Sequence, residues 1–202
     1  ALPIWGAVPM PMAILEGLKE TGVTLQIMSE GLDEGDIIDI QPIEISEYET
    51  AESLERKSAR ASIDQLKSVL PLWIGREIDA KPQDDSKATF CSIKDLKKDN
   101  AEITFNTDII RAERMVRAFY PWPVTWLRVP NGKHKGKRLK IFKSRLIEKE
   151  GRKDKYNERL EIIKEDDRLL LRLNNGVLEL VELQLEGKQR KSASEYKYLV
   201  KE

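Results

Sequence analysis

A strand, a tight acidic turn and a second strand are predicted within residues 21–38, and this stretch constrains the fold more than any other part of the sequence. Every second residue over 23–27 is aliphatic, which is the period of a β-strand with one apolar face. Gly31 and Gly35 flank Asp33 and allow the backbone to turn sharply and approach a ligand closely. A carboxylate held at such a turn is well placed for proton transfer, so Asp33 is a candidate catalytic residue. The alternative is a turn aspartate that accepts hydrogen bonds from nearby backbone amides.

The composition indicates a protein with an apolar core and no membrane span. Of 202 residues, 40% are hydrophobic and 35% are charged, and this length allows one large or two small domains. No apolar run approaches the roughly 18 residues of a transmembrane helix, and no segment resembles a signal peptide. Cys91 is the single cysteine, which excludes an internal disulfide and is consistent with a cytoplasmic location. We also expect a monomer without a metal site.

Charge is balanced in total but segregated along the chain. Lys+Arg and Asp+Glu both number 35, so the net charge identifies no partner. Residues 30–55 contain ten acidic and no basic residues, whereas residues 128–159 contain thirteen Lys or Arg and four acidic residues. The second segment favours a polyanion, such as the phosphate backbone of a nucleic acid. The alternative is a set of solvated hairpins in which lysines protect the sheet edges.

The order of predicted elements separates an α/β part from a β-rich part. Residues 1–78 are predicted to form an α/β domain, residues 79–100 a linker, and residues 101–202 a second domain with a basic side. The five strands of the second part suggest a small antiparallel barrel. With only two strands the first part leaves sheet edges unpaired, so we expect a further part of its fold before Ala1 or from another chain. Apolar periodicity predicts helices over residues 9–19, 50–70 and 107–119, and strands over residues 23–28, 37–45, 124–129, 138–147, 160–163, 169–173 and 177–185.

Four segments resemble motifs of the methionyl-tRNA formyltransferase family, and together they extend over nearly the whole chain. They are residues 2–9, 21–36, 116–123 and 183–193. The Leu-Asp-x-Gly-Asp pattern that ends the second segment is shared with other folate-dependent formyltransferases. The Pro-Trp-Pro pattern of the third segment and the whole fourth segment point more narrowly to the tRNA enzymes. The first segment departs from the family pattern, because it is one residue shorter before Gly6.

The resemblance implies a partial Rossmann-like formyltransferase domain followed by an OB-like β-barrel. It implies transfer of a formyl group from 10-formyltetrahydrofolate to the amino group of methionine on initiator tRNA, a step of translation initiation. Asp33 matches the family's catalytic aspartate. The family's catalytic asparagine and histidine would lie five and three residues before Ala1, so we expect the 202-residue chain alone to be inactive. The residues expected at the folate site are Gly31, Leu32, Gly35 and Asp36.

Contact with tRNA is expected from the basic side of the second domain and from the linker. The candidates are Lys133, Lys135, Lys137, Arg138, Lys140 and Lys143 in the second domain, and Lys81, Lys87 and Lys94 in the linker. His134 lies in the same basic turn, and we interpret it as a surface residue or a phosphate contact. Phe119 and Trp122 are predicted to be core residues at the junction between the domains rather than base-stacking residues.

Two other functions are consistent with parts of this pattern. A formyltransferase that acts on a sugar nucleotide would share the aspartate loop and a similar Pro-Trp-Pro segment, but residues 183–193 and the basic second domain argue against it. A non-enzymatic RNA-binding module would use the α/β part only as a scaffold.

Overall fold

The computed structural model describes residues 4–84, 86, 88–149 and 159–199, and the chain divides into two units, Ala1–Asp95 and Leu96–Glu202. The first unit contains β1 (Ile4–Gly6), α1 (Pro9–Glu16), β2 (Glu20–Gln26), β3 (Ile37–Glu44), α2 (Ala51–Ile74) and β4 (Thr89–Cys91). β1 pairs with β4 in parallel, and β2 pairs with β3 as an antiparallel hairpin. The predicted helices and strands of this unit are confirmed, and β1 and β4 are short additional strands.

Helix α2 begins where the sequence predicts, because Thr50 and Ser53 cap each other. The Ser53 N–H donates to the Thr50 hydroxyl at 3.1 Å, and the Thr50 N–H donates to the Ser53 hydroxyl at 3.0 Å. The helix continues through Pro71 to Ile74 and so passes its predicted end at residue 70. It contacts β2 and β3 and buries Leu54 and Val69.

One side of α2 presents an apolar stripe to solvent. Ile63, Leu66, Leu70 and Ile74 are 53%, 42%, 42% and 72% exposed, and their spacing places them on one side of the helix. Within the described residues, the β1–β4 pair also has no further strand on either edge. Both are surfaces that a larger α/β domain would bury. No helix in the described part of the chain is long and apolar enough to cross a bilayer.

The segment 79–100, interpreted as a linker from the sequence, forms regular contacts in the first unit. Ile37 and Lys81 exchange two backbone hydrogen bonds of 2.8 Å each. β4 follows, and then two 3₁₀ turns over Ile93–Leu96 and Lys98–Ala101. The boundary between the two units lies inside this segment, after Asp95.

The described part of the second unit contains α3, six strands and a closing 3₁₀ helix. The strands form one antiparallel sheet in the order β5-β6-β9-β8-β7, with β10 paired to β9, and the sheet is a curled half-barrel. Register shifts along β6 bend that strand and increase the curl. All five predicted strand segments are present, and no pairing of described residues closes β7 onto β5. The elements are α3 (Ile109–Ala118), β5 (Trp126–Arg128), β6 (Arg138–Lys149), β7 (Glu161–Glu165), β8 (Arg168–Leu173), β9 (Gly176–Leu185), β10 (Lys191–Ser192) and the 3₁₀ helix Ala193–Leu199.

Helix α3 packs on β6 and β9 and is fixed at its start by polar side chains. Asp108 accepts hydrogen bonds from the second and third N–H groups of the helix, and Asn175 donates to Asp108 at 2.6 Å. Phe119, predicted as core, is 1% exposed. The same prediction for Trp122 is wrong: this side chain is 53% exposed, because residues 120–123 form a turn whose outer side carries Pro121 and Trp122.

Candidate active site

The acidic turn between β2 and β3 places the carboxylate of Asp33 against the end of β1. The backbone N–H of Gly6 donates a hydrogen bond of 2.9 Å to Oδ2 of Asp33. Asp33 has a φ of 62°, a left-handed conformation that aspartate tolerates better than most residues. The residue is half-buried. The candidate catalytic carboxylate therefore has a defined position rather than projecting into bulk water.

Close packing between β1 and β4 requires glycine at position 6. Gly6 has a φ of 114°, and a Cβ atom there would lie 1.9 Å from the carbonyl oxygen of Cys91 on β4. Burial raises the pKa of the Cys91 thiol, and the negative charges of Asp95 and Asp33 act in the same direction. The thiol beside the turn therefore stays protonated at neutral pH.

The two glycines that flank Asp33 have different roles. A Cβ atom at Gly35 would lie 1.7 Å from the carbonyl oxygen of Ile27, so the narrow base of the turn excludes any side chain at this position. At Gly31 the nearest atoms belong to the flexible carboxylate of Glu34, which can move aside. Position 35 thus requires glycine because the backbone of Ile27 lies so close to it. The left-handed backbone conformation in this turn is adopted by Asp33 rather than by either glycine.

Gln83 joins the acidic turn to the segment that follows α2. Its Nε2 group donates to the carbonyl oxygens of Asp33 and Gly35 at 2.6 and 2.7 Å, and it lies 3.1 Å from Oε1 of Gln26. Gln83 was not among the site residues predicted from the sequence. The sequence around Gln83 has no apolar periodicity, which indicates a loop. This pattern does not predict that the Gln83 side chain binds the turn at Asp33, 50 positions earlier.

A cavity of ≈ 490 Å³ opens beside the Asp33 carboxylate. Its wall combines apolar side chains, such as Trp5 and Ile40, with polar groups of Gln26 and Gln83. This volume lies within the range of small-molecule sites, and the mixture of surfaces suits a ligand that has both apolar and hydrogen-bonding groups. A carboxylate on the wall of such a cavity can accept or relay a proton.

The four residues expected at the folate site are not among the residues that line the cavity. Gly35 is buried and Gly31 is half-buried, whereas Asp36 is exposed and Leu32 is 89% exposed. Among the residues that the structure describes, the cavity lining includes Asp33 from this turn but none of these four.

Basic side chains from two turns of the second unit lie close together, and we call this the basic turn surface. It consists of Lys133, His134, Lys135 and Lys137 from the β5–β6 connection, Lys188 and Arg190 from the β9–β10 turn, and Lys191 at the start of β10. His134, Lys188 and Lys191 line one cavity of ≈ 500 Å³. Loss of hydration and the positive charges of Lys137, Lys133 and Lys188 lower the pKa of His134. The surface therefore collects positive charge, with His134 neutral at pH 7.

Lys188 and Lys191 were not among the predicted basic residues, although they belong to the segment 183–193. The signal that could have identified them is the antiparallel pairing of β6 with β9, which places the end of β9 beside the start of β6. Arg138 and Lys140 at that start line a shallow depression of ≈ 230 Å³ together with Glu186. The guanidinium of Arg138 stacks on the ring of Trp126 at 4.3 Å from its centroid. The exposed Lys143 lies further along β6.

Arg190 is largely neutralised by its own contacts. It forms two hydrogen bonds with Glu182, at 2.7 and 2.8 Å, and its guanidinium lies 4.2 Å from the centroid of the Phe142 ring. The hydrogen bond from Arg190 is the main reason why the pKa of Glu182 is lowered. Arg190 therefore contributes less to an anion site than the lysines beside it.

The remaining predicted tRNA contacts lie in the first unit. Lys81 and Lys94 are exposed. Lys87 lies outside the described residues.

Comparison with known proteins yields two matching family models. Residues 2–70 match the family "Formyl transferase", and residues 95–198 match "Formyl transferase, C-terminal domain". The chain is 31% identical over 196 residues to the methionyl-tRNA formyltransferase of Pseudoalteromonas translucida (strain TAC 125), which covers 96% of this chain and 59% of that protein. The chain thus spans less than two thirds of the length of this relative.

Solved structures share the same fold at low sequence identity. HypX from Aquifex aeolicus in complex with tetrahydrofolic acid superposes with a TM-score of 0.67 at 16% identity, over 96% of this chain and 32% of that one. The N-formyltransferase from Helicobacter canadensis, in complex with folinic acid and dTDP-3-aminofucose, superposes with a TM-score of 0.68 at 20% identity, over 94% of this chain and 62% of that one.

Proposed function

Because this chain belongs to the formyl transferase family, we propose that the protein transfers a formyl group from 10-formyltetrahydrofolate to the amino group of methionyl-initiator tRNA. The observation that carries this proposal is the Asp33 carboxylate, fixed by the Gly6 N–H on the wall of a cavity of ≈ 490 Å³. Similarity to a methionyl-tRNA formyltransferase over both units supports the tRNA substrate. The reaction belongs to translation initiation in the cytoplasm.

The chemistry of formyl transfer explains why a carboxylate is useful at this position. The substrate amine attacks the formyl carbon, the bond from that carbon to the folate nitrogen breaks, and the proton lost by the amine finally resides on the folate nitrogen. Asp33 accepts or relays this proton, directly or through an ordered water. Hydrogen-bond donors must also stabilise the tetrahedral oxyanion, and the family resemblance assigns that role to an asparagine and a histidine. We propose that Gly31, Leu32, Gly35 and Asp36 shape the folate site through the backbone of the turn that carries Asp33.

The second unit is proposed to bind the tRNA through phosphate contacts. The basic turn surface, with Arg138, Lys140 and Lys143 on β6, provides the positive charge that a phosphate backbone requires. We propose that the half-barrel is of the OB type, a fold that commonly binds nucleic acids, and that the first unit is part of a Rossmann-like domain. Lys81, Lys87 and Lys94 are further candidate contacts.

A sugar-nucleotide formyltransferase is the second candidate function. It is favoured by the structural similarity to the Helicobacter canadensis enzyme, whose structure contains dTDP-3-aminofucose. The two functions predict different acceptors for the same formyl group, and they predict different uses of the basic turn surface. A sugar nucleotide is too small to need positive charge spread over two turns.

A competition between acceptors tests the proposal. The protein at its natural length is incubated with 10-formyltetrahydrofolate and either methionyl-initiator tRNA or an amino-sugar nucleotide, and the formylated product is quantified. We expect formyl-methionyl-tRNA only. Formylation of the sugar nucleotide would favour the second candidate. Binding of tRNA without any affinity for a folate analogue would indicate a non-enzymatic RNA-binding module.

A further inference from the structure

We propose that Gln83 is a positioning residue, whose side-chain amide holds the Asp33 turn in the geometry that formyl transfer needs. This inference rests on the proposed function for its effect on catalysis. That Gln83 restrains the turn is inferred from its hydrogen bonds alone and does not depend on the proposed function.

The contacts of Gln83 converge on the turn and on the last residue of the strand before it. One nitrogen, Nε2, faces three oxygens: the carbonyls of Asp33 and Gly35 within the turn, and the side-chain oxygen of Gln26 at the end of β2. The two carbonyl bonds, at 2.6 and 2.7 Å, are short for neutral groups. Because an amide nitrogen carries two protons, these two carbonyls use its full donor capacity.

Gln83 is itself held in place by backbone pairing. Two positions earlier, Lys81 exchanges both of its backbone hydrogen bonds with Ile37, the first residue of β3. Pro82 stiffens the chain between this bridge and Gln83. The backbone that carries the Gln83 amide is therefore fixed. For this reason the amide can restrain the turn instead of moving with it.

The turn depends on this restraint because its own hydrogen bonding is sparse. Asp33 occupies a left-handed conformation at φ 62°, and its carboxylate must point back to the Gly6 N–H. At the base of the turn, the Ile27 N–H donates to the Asp36 carbonyl at 2.9 Å. Loss of the Gln83 donors would leave the carbonyls of Asp33 and Gly35 without this partner and allow the carboxylate to leave the cavity wall.

Two substitutions separate the donors from the volume of the side chain. Gln83→Leu keeps a similar volume and removes both donors, and Gln83→Glu replaces the donors with a charged acceptor against three oxygens. Gln41→Leu, at an exposed glutamine on β3, is the matched control. The protein at its natural length is used for hydrogen exchange, for binding of a folate analogue and for steady-state kinetics.

We expect Gln83→Leu to speed amide exchange about tenfold at Gly6 and Ile27, with unchanged exchange across α2, since one restraint of the turn is lost while the unit stays folded. We expect kcat to fall at least about tenfold and the KM for methionyl-tRNA to stay the same, because the defect lies in placement of Asp33 and not in RNA contact. Gln83→Glu should show the larger effect, and Gln41→Leu none.

The proposal is overturned if Gln83→Leu leaves the exchange of Gly6 and Ile27 unchanged, or if exchange rises equally across α2, which would indicate general destabilisation. An unchanged kcat with faster exchange would also overturn the positioning role. If the unaltered protein fails to bind the folate analogue, the proposed function fails, and the exchange experiment still decides whether Gln83 holds the turn.

Discussion

The carboxylate of Asp33 accepts a hydrogen bond from the backbone N–H of Gly6, 27 positions earlier in the chain. This contact connects the acidic turn to the parallel β1–β4 pair, and it fixes the orientation of the one acidic side chain in the turn that lines the cavity. The hydrogen bond also satisfies one of the carboxylate's acceptor positions without neutralising its charge.

Substitution of Asp33 by asparagine should remove the negative charge of the side chain and leave the structure of the turn unchanged. The amide oxygen of asparagine can still accept the Gly6 hydrogen bond, so the melting temperature should change little. We expect kcat for formyl transfer to fall by about 10²–10⁴-fold, since the group proposed to accept or relay the proton is lost. Glu47→Gln, at an exposed acid on the loop after β3, is the control. A kcat within a factor of two of the unaltered enzyme would exclude a catalytic role for Asp33.

Substitution of Gly6 by alanine should destabilise the first unit. The added methyl group would lie 1.9 Å from the Cys91 carbonyl, in a backbone conformation that only glycine adopts readily. A strained backbone conformation alone costs about 1–3 kcal/mol. We expect the unfolding free energy to fall by more than this, because a direct steric clash adds to the strain. Gly187→Ala provides the comparison: its φ is 75° and no atom lies within 4 Å of the added group, so only the strain applies. Urea unfolding of both variants measures the difference, and equal losses would show that the clash relaxes freely.

The buried carboxylate of Glu49 should make stability depend on pH. Burial alone would raise its pKa, but hydrogen bonds from Ser53 and Ser46 and the charge of Lys57 outweigh burial, so the pKa of Glu49 is lowered. A carboxyl group with a lowered pKa in the folded state stabilises the fold above its unfolded pKa, and this contribution is lost as the pH falls through the folded value. We therefore expect Glu49→Gln to lower the melting temperature at pH 7, where the charged hydrogen bonds are present.

The difference between the unaltered protein and Glu49→Gln should shrink as the pH falls from about 6 through the ordinary glutamate value of about 4.3 and below. Melting temperatures recorded across this range by circular dichroism test the sign. A difference that stays constant or grows in acid would show that Glu49 stabilises the connection to α2 by packing rather than by charge.

The basic turn surface should make RNA affinity depend steeply on salt. We expect the logarithm of the association constant for initiator tRNA to fall linearly with the logarithm of salt concentration. Each lysine that contacts a phosphate contributes roughly 0.7–0.9 to this slope, so the double variant Lys135→Ala/Lys137→Ala should flatten it measurably. Lys164→Ala, at an exposed lysine on β7 at the far edge of the sheet, should leave the slope unchanged. A salt-independent affinity would contradict phosphate contacts.

Local patterns predicted most of the secondary structure correctly. The alternation over residues 23–27 gives β2, and Thr50 as a helix cap gives the start of α2, because side-chain alternation and helix capping involve residues that are close in sequence. The end of α2 was predicted too early, at residue 70. Proline lacks the N–H that would bond to the carbonyl four residues earlier and crowds the turn before it. The turn after Pro71 nevertheless continues, with a helical hydrogen bond from the Gly75 N–H to the Pro71 carbonyl.

These local patterns could not predict contacts between residues that are far apart in the sequence. The β1–β4 pair joins residues 4–6 to residues 89–91, and neither three-residue strand has a period long enough to recognise. The hydrogen bonds from Gly6 to Asp33 and from Gln83 to the turn depend on this tertiary arrangement. For the same reason, residue type and motif could identify Asp33 as the candidate acid but could not identify what holds it in place.

The acidic turn is held on one side by residue 6 and on the other by residue 83. During synthesis on the ribosome, a nascent chain that has grown only through the hairpin already contains the carboxylate but not its second support. The full set of hydrogen bonds around the turn can therefore form only after the chain beyond α2 has left the exit tunnel. Any fragment that ends at the last turn of that helix would keep the sequence of the acidic turn but lose the hydrogen bonds that it receives from residue 83.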